Sequence, residues 1–237
     1  MNLPLVDVFG VPYGVRRSRQ ATLETVSAGE DDDNDTEIVA TIGDARSALE
    51  HIAQVSMDNG LGNHIQDALS RSQHYKEWQT AMPSKAPPAI LRYQKAYEKS
   101  DPVAVSEEVN HHGRLLSSGQ FLFHGGLWPG GTTLITERPL STSLCPQVAL
   151  RNAEYKAKAY DAGRLDLFLL RVTTSATKAY VFKRKGTKLG HESEVLLAAG
   201  ARLSLRSETL IRSNYPAAKV GQLDKEIPIF VLELELS

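Results

Sequence analysis

Gly190-His191-Glu192-Ser193-Glu194-Val195-Leu196-Leu197-Ala198-Ala199-Gly200 sets two carboxylates one residue apart, at the mouth of a short apolar run that a glycine closes. Read as a strand, residues i and i+2 face the same side, so Glu192 and Glu194 point together while Ser193, Val195 and Leu197 point the other way. Glutamate is disfavoured in strands and parallel carboxylates repel, so one of the two is expected to hold its proton more tightly than usual. Taken alone, the pattern also suits a solvated strand edge. The flanking sequence separates the two possibilities.

Immediately upstream, Leu165-Asp166-Leu167-Phe168-Leu169-Leu170-Arg171-Val172 and Ala179-Tyr180-Val181-Phe182 read as strands, and the charged loop Lys183 to Gly190 delivers the chain to the glutamates. Before them, Pro139-Leu140-Ser141-Thr142-Ser143-Leu144 is a short hydroxyl-rich strand, and Pro146 to Tyr160 has helical spacing of Val148, Leu150, Ala153, Ala157 and Tyr160. Earlier still, Gln120-Phe121-Leu122-Phe123-His124 alternates into Gly125-Gly126, and Pro129-Gly130-Gly131 turns into Thr132-Thr133-Leu134-Ile135. Glycine admits a ligand close to the backbone, so a strand ending in His-Gly can hold a flat amide by main-chain bonds. No Gly-Lys-Ser/Thr follows, which excludes a phosphate-binding P-loop. Arg202 to Leu205 and Ile229 to Leu236 are the last expected strands.

From Thr36 to about Gly119 the period is helical. Asp44 is the expected N-cap of a helix whose stripe is Ala45, Ala48, Leu49, Ile52 and Val55. Asn59-Gly60-Leu61-Gly62-Asn63 is expected to break it, with further helices over Ile65 to Trp78, Ile90 to Glu98 and Val103 to Leu116. His111 and His112 are adjacent on a helix and do not converge on a metal, so no metal site is expected. Residues 1–36 read as a flexible leader, with the basic cluster Arg16-Arg17-Ser18-Arg19 and the acidic block Glu30-Asp31-Asp32-Asp33-Asn34-Asp35. Leu, Val, Phe and Tyr within residues 2–14 leave open a return of that stretch to the body. Helices first and then many short strands describe an α+β domain over 37–237, with a helical lobe at 37–118 and a β-rich core at 119–237.

The 237 residues suffice for a proper core, and 41% hydrophobic and 23% charged residues are values of a globular chain. Net charge −1 argues against a general nucleic-acid or membrane-surface binder. No apolar run approaches the roughly 18 residues of a membrane span, and no basic n-region precedes an apolar one at the start, so no cleaved signal is expected. The single cysteine, Cys145, forms no internal disulfide and suits a reducing compartment or passage through a secretion apparatus.

His124-Gly125 at a strand end, then Ser141-Thr142-Ser143, then Glu192-Ser193-Glu194 ahead of Val195-Leu196-Leu197 resemble, in that order, the mono-ADP-ribosyltransferase superfamily, and best its arginine-serine-glutamate branch. The resemblance covers roughly residues 90 to 237 and implies a split β-sandwich of mainly antiparallel strands preceded by a helical lobe, with NAD as co-substrate and a target protein as acceptor. It implies Glu194 as the catalytic carboxylate, Ser141 as the group that orients it, Glu192 as the group facing the nucleophile, and His124, Gly125, Ser141, Thr142 and Ser143 as the NAD contacts. His124 departs from the branch, which has an arginine there; in the diphtheria-toxin-like branch a histidine at that strand end bonds the nucleotide ribose. An uncharged imidazole does not neutralise a pyrophosphate, so Arg138, Arg151 or Lys156 is expected to substitute. Glutamate at 192 goes, within the family, with arginine acceptors, which the two-bond match of guanidinium and carboxylate makes sensible.

The expected function is therefore a bacterial effector or toxin, secreted and acting in a host or target cell cytosol, that moves ADP-ribose from NAD to a protein side chain. The Lys183 to Gly190 loop would meet the target. A module of the same fold that has lost NAD and recognises a peptide through the Glu192 and Glu194 cleft is the alternative, and NAD binding separates the two. A cysteine hydrolase built on Cys145 has no local signature.

Overall fold

The computed structural model describes residues 2–18, 36–174, 176–183 and 193–237. β1 (Tyr13–Ser18) and β2 (Thr36–Ile42) form a separate antiparallel ribbon. Five helices follow: α1 (Ala45–Val55), α2 (Asn59–Arg71), α3 (Gln73–Thr80), α4 (Pro88–Lys95) and α5 (Pro102–His112). Then come β3 (Arg114–Leu115), β4 (Phe121–Gly126), β5 (Thr133–Ile135), β6 (Leu140–Ser143), α6 (Pro146–Glu154) and α7 (Lys158–Ala162). The chain closes with β7 (Leu165–Val172), β8 (Lys178–Val181), β9 (Glu194–Leu197), β10 (Arg202–Ala217) and β11 (Lys225–Leu236).

Nine of these strands make one mixed sheet in the order β3-β8-β9-β6-β4-β7-β11-β10-β5. The architecture is α+β. The pairings are antiparallel except β11 against β7, where Ile229 to Leu236 run beside Leu165 to Val172. Among the described residues β4 meets β6 through one residue pair, Phe123 with Ser143, so the sheet divides there into a four-strand and a five-strand half. A split sheet is what the family resemblance implies.

Helices cover the sheet because their apolar stripes must be buried somewhere. Asp44 caps α1 by accepting from Ser47 N, and Ala48, Leu49, Ile52 and Ala53 are fully buried against α6, β7, β10 and β11. Several features differ from expectation. Thr36–Ile42, at the start of the stretch read as helical, is a strand, and Ser72 divides the expected Ile65 to Trp78 helix into α2 and α3. The Asn59-Gly60-Leu61-Gly62-Asn63 stretch opens α2 instead of breaking the chain, because Asp58 accepts from Leu61 N and caps it. A β-carbon at Gly60 would lie 2.3 Å from the Tyr13 hydroxyl and one at Gly62 would lie 3.2 Å from Gln147 Oε1, so both glycines serve close packing inside a helix. The expected four-residue strand at Arg202 runs on to Ala217, since β11 pairs along it with register shifts that absorb the mismatch.

Of the expected leader, residues 3–9 are packed on the body. Leu3, Val6, Val8 and Phe9 are buried, Leu3 bridges Leu116, the Gln120 amide bonds both N and O of Val6, and Trp78 Nε1 donates to Pro4 O at 2.7 Å. The acidic block Glu30 to Asp35 lies outside the described residues.

Candidate active site

The seam between the sheet halves is where the singled-out residues gather. β6 and β9 are antiparallel with Ser143 opposite Glu194 and Ser141 opposite Leu196. Alternation then places Ser141, Ser143 and Glu194 on one face. Ser141 Oγ donates to Glu194 Oε1 at 2.7 Å, and Glu194 is only 6% exposed. A carboxylate fixed by a hydroxyl at the mouth of a strand is thus present where the sequence places it.

Across the seam, β4 brings His124 to the same place. Its Nδ1 lies 2.7 Å from Ser141 O. A carbonyl oxygen only accepts, so Nδ1 carries the proton and Nε2 presents a lone pair. Enclosure of the ring pushes the imidazole down to about 4, the bond to Ser141 opposes that, and the Lys158 charge adds to it. At neutral pH the residue is therefore an uncharged acceptor. Phe168 lies against its ring at 5.3 Å, and Trp128 meets Phe168 edge-on at 5.9 Å.

The two glycines beside His124 serve different ends. A β-carbon at Gly125 would lie 1.8 Å from Ala149 O, so this glycine lets α6 cross β4 closely. At Gly126 it would lie 3.0 Å from His124 Nε2. Glycine here leaves that nitrogen open.

Thr142 and Ser143 are buried, Thr142 Oγ1 donating to Val195 O at 2.6 Å and Ser143 Oγ accepting from Cys145 N at 2.9 Å. Both hydroxyls tie the frame together. Trp128 is buried as well, its backbone N–H donating to Asp166 Oδ2 and its ring N–H to Gly131 O, which is a packing role. Burial pushes the Cys145 thiol up, away from the thiolate a nucleophile requires.

Glu192 and the loop from Arg184 to Gly190 lie outside the described residues. Ser193, next to Glu194, is fully buried at φ +47, so the two-residue alternation assumed for the glutamates stops at Ser193. A left-handed residue with a side chain costs about 1–2 kcal/mol and persists where the surroundings hold it.

The structure also brings up two residues that sequence reasoning passed over. Tyr93 of α4 is 7% exposed, and burial and then the Glu194 charge push its phenol well above the usual range. Its signal was the α4 stripe it shares with Ile90. Lys158 is the described cation whose charge reaches His124. Of the cations expected there, Lys156 pairs with Glu98, while Arg138 and Arg151 are exposed, as Lys158 is. Lys158 follows two consecutive left-handed residues, Lys156 and Ala157, and no sequence pattern announces that corner.

Solved structures similar to this chain include ADP-ribosyltransferase toxins. Plx2a from Paenibacillus larvae matches at TM-score 0.44 and 12% identity over 69% of this chain and 90% of that one. BECa, an ADP-ribosylating toxin of C. perfringens solved with NADH, matches at 0.42 and 14% over 69% of this chain and 46% of that one, so the match spans about half of BECa. Vis from Vibrio splendidus matches at 0.36 and 13% over 82% and 87%. Superpositions this loose do not lay one side chain on another. No family model matches the sequence, and no curated protein does.

Proposed function

We propose that the chain is an NAD-dependent mono-ADP-ribosyltransferase that transfers ADP-ribose to a side chain of a target protein. The observation that carries this reading is the Ser141–Glu194 bond beside a neutral His124 whose Nε2 is kept open by Gly126. Bound NAD supplies a glycosidic bond whose cleavage places positive charge on the ribose anomeric carbon. Glu194, held by Ser141, stabilises that charge from a fixed position, which is worth more than the same charge in water. Its low exposure keeps competing water away.

His124 Nε2 accepts from a sugar hydroxyl, a role that suits an uncharged imidazole. Lys158 supplies the positive charge for phosphates that His124 does not. Gly125 and the strand end it lies on offer main-chain groups to the nicotinamide amide, and Thr142 and Ser143 keep β6 in place for Ser141. Glu192 orients or deprotonates the acceptor, for which an arginine guanidinium is favoured. The loop from Lys183 to Gly190 meets the target, and the protein acts as a secreted bacterial effector or toxin inside a target cell.

The test is nicotinamide release by the purified protein with and without a host-cell lysate, beside Glu194→Ala. Release or lysate labelling that vanishes in the variant supports the reading, and mass spectrometry of the labelled product identifies the acceptor side chain. Silence of both proteins together with no NAD binding by calorimetry sinks it, and leaves a recognition module of the same fold.

A further inference from the structure

Glu194 is preceded by a residue that strains to be where it is. Ser193 combines full burial, a side chain and φ +47, and nothing in its own chemistry favours that conformation over an extended one. A buried hydroxyl requires a partner, and here Gln66 Nε2 of α2 donates to Ser193 Oγ at 3.3 Å. The Ser193 carbonyl in turn accepts from Leu144 N at 3.4 Å, which joins it to the end of β6. One turn earlier on the same face of α2, Gly62 allows Gln147 at the start of α6 to approach. That face of α2 therefore touches the start of α6, which follows β6, and the residue before β9, which begins with Glu194.

We propose that Gln66 is a positioning residue that latches Ser193 in its left-handed conformation and thereby fixes the Glu194 carboxylate relative to Ser141. Gln66 acts through Ser193 and not on a substrate. Losing it leaves substrate binding intact and lets the carboxylate wander from the geometry the chemical step needs. The catalytic half of this proposal rests on the ADP-ribosyltransferase reading; the conformational half does not.

The test uses the full chain with Gln66→Met, close in size but without the donor, alone and combined with Ser193→Gly, a residue that enters the left-handed region freely. Nicotinamide release is measured well below the melting temperature of every variant. Gln66→Met is expected to lower kcat about tenfold with the KM for NAD within about twofold, as a misplaced catalytic group does. With Ser193→Gly already present, the loss from Gln66→Met is expected to shrink to about twofold, because the glycine needs no latch. A kcat unchanged in Gln66→Met, or a loss of the same size in both backgrounds, overturns the proposal. In parallel, carbon chemical shifts of Ser193 in labelled protein report its backbone conformation in wild type and Gln66→Met. If the wild type releases no nicotinamide, the enzyme reading fails and the shifts decide the latch: a Ser193 that stays left-handed in Gln66→Met refutes it, and one that leaves that region upholds it.

Discussion

Replacing Gly125 and Gly126 by alanine, one at a time, separates the scaffold of the site from its opening. Neither glycine has a left-handed backbone, so the added methyl acts only through space. At Gly125 it would lie 1.8 Å from Ala149 O and 2.7 Å from Ala149 C, backbone atoms of α6. Ordinary contact is about 3.5 Å, so α6 would have to retreat by about 1.7 Å. A densely packed interior does not yield that distance freely, and the cost is expected at the upper end of overpacking effects, about 3 kcal/mol. For a chain of this length that is a fall of about 6–12 °C in melting temperature. At Gly126 the methyl would lie 3.0 Å from His124 Nε2, a side-chain atom at the cleft. Here a small shift suffices, stability changes by less than about 1 kcal/mol, and the effect falls on the nitrogen the ribose is proposed to use. Thermal unfolding followed by circular dichroism, beside NAD titration by calorimetry, reads both. Gly125→Ala melting within about 1 °C of wild type would refute the seating of α6 on β4, and Gly126→Ala binding NAD as wild type does would refute the role given to Nε2.

Two further outcomes follow from the titrating groups. His124 has a lowered folded pKa of about 4 against an ordinary 6.5, so its contribution to stability is complete above 6.5, falls as pH drops, and is exhausted near 4. Between pH 7.5 and 5.5 the wild type should lose about 1 kcal/mol through this group, a loss absent from His124→Gln in denaturant titrations at the two pH values. Cys145→Ala should leave nicotinamide release unchanged, since the thiol is buried and its pKa raised; abolished activity would revive a cysteine mechanism.

Strong local signals were legible in the sequence. The Asp44 cap with its apolar stripe produced α1 to the residue at its C-terminal end, and the eight-residue apolar run at Leu165 became β7 with the expected bounds. Ser141 and Glu194 are 53 positions apart, and only the family resemblance pairs them in the sequence; they meet at 2.7 Å. What sequence reasoning missed was decided by tertiary contact. Gly60 and Gly62 look like helix breakers, yet Tyr13 and Gln147 need the space they leave. The segment after Leu205 has no continuous apolar run to mark it as a strand, but it is one side of a long hairpin whose other side is the next strand, β11. The left-handed turn at Ser193 has no glycine or asparagine to mark it, because a glutamine on α2 supplies what a permissive residue would have.

The seam at Phe123 and Ser143 has a mechanical consequence. A single ladder pair joins the two halves of the sheet there, and the proposed reacting groups sit on opposite sides of it, His124 on one and Ser141 with Glu194 on the other. The bond from His124 Nδ1 to Ser141 O crosses the same gap, so the imidazole is a rivet through the joint as well as a ligand contact. This histidine turns inward, and its bond to Ser141 O ties the two halves of the sheet together at their seam.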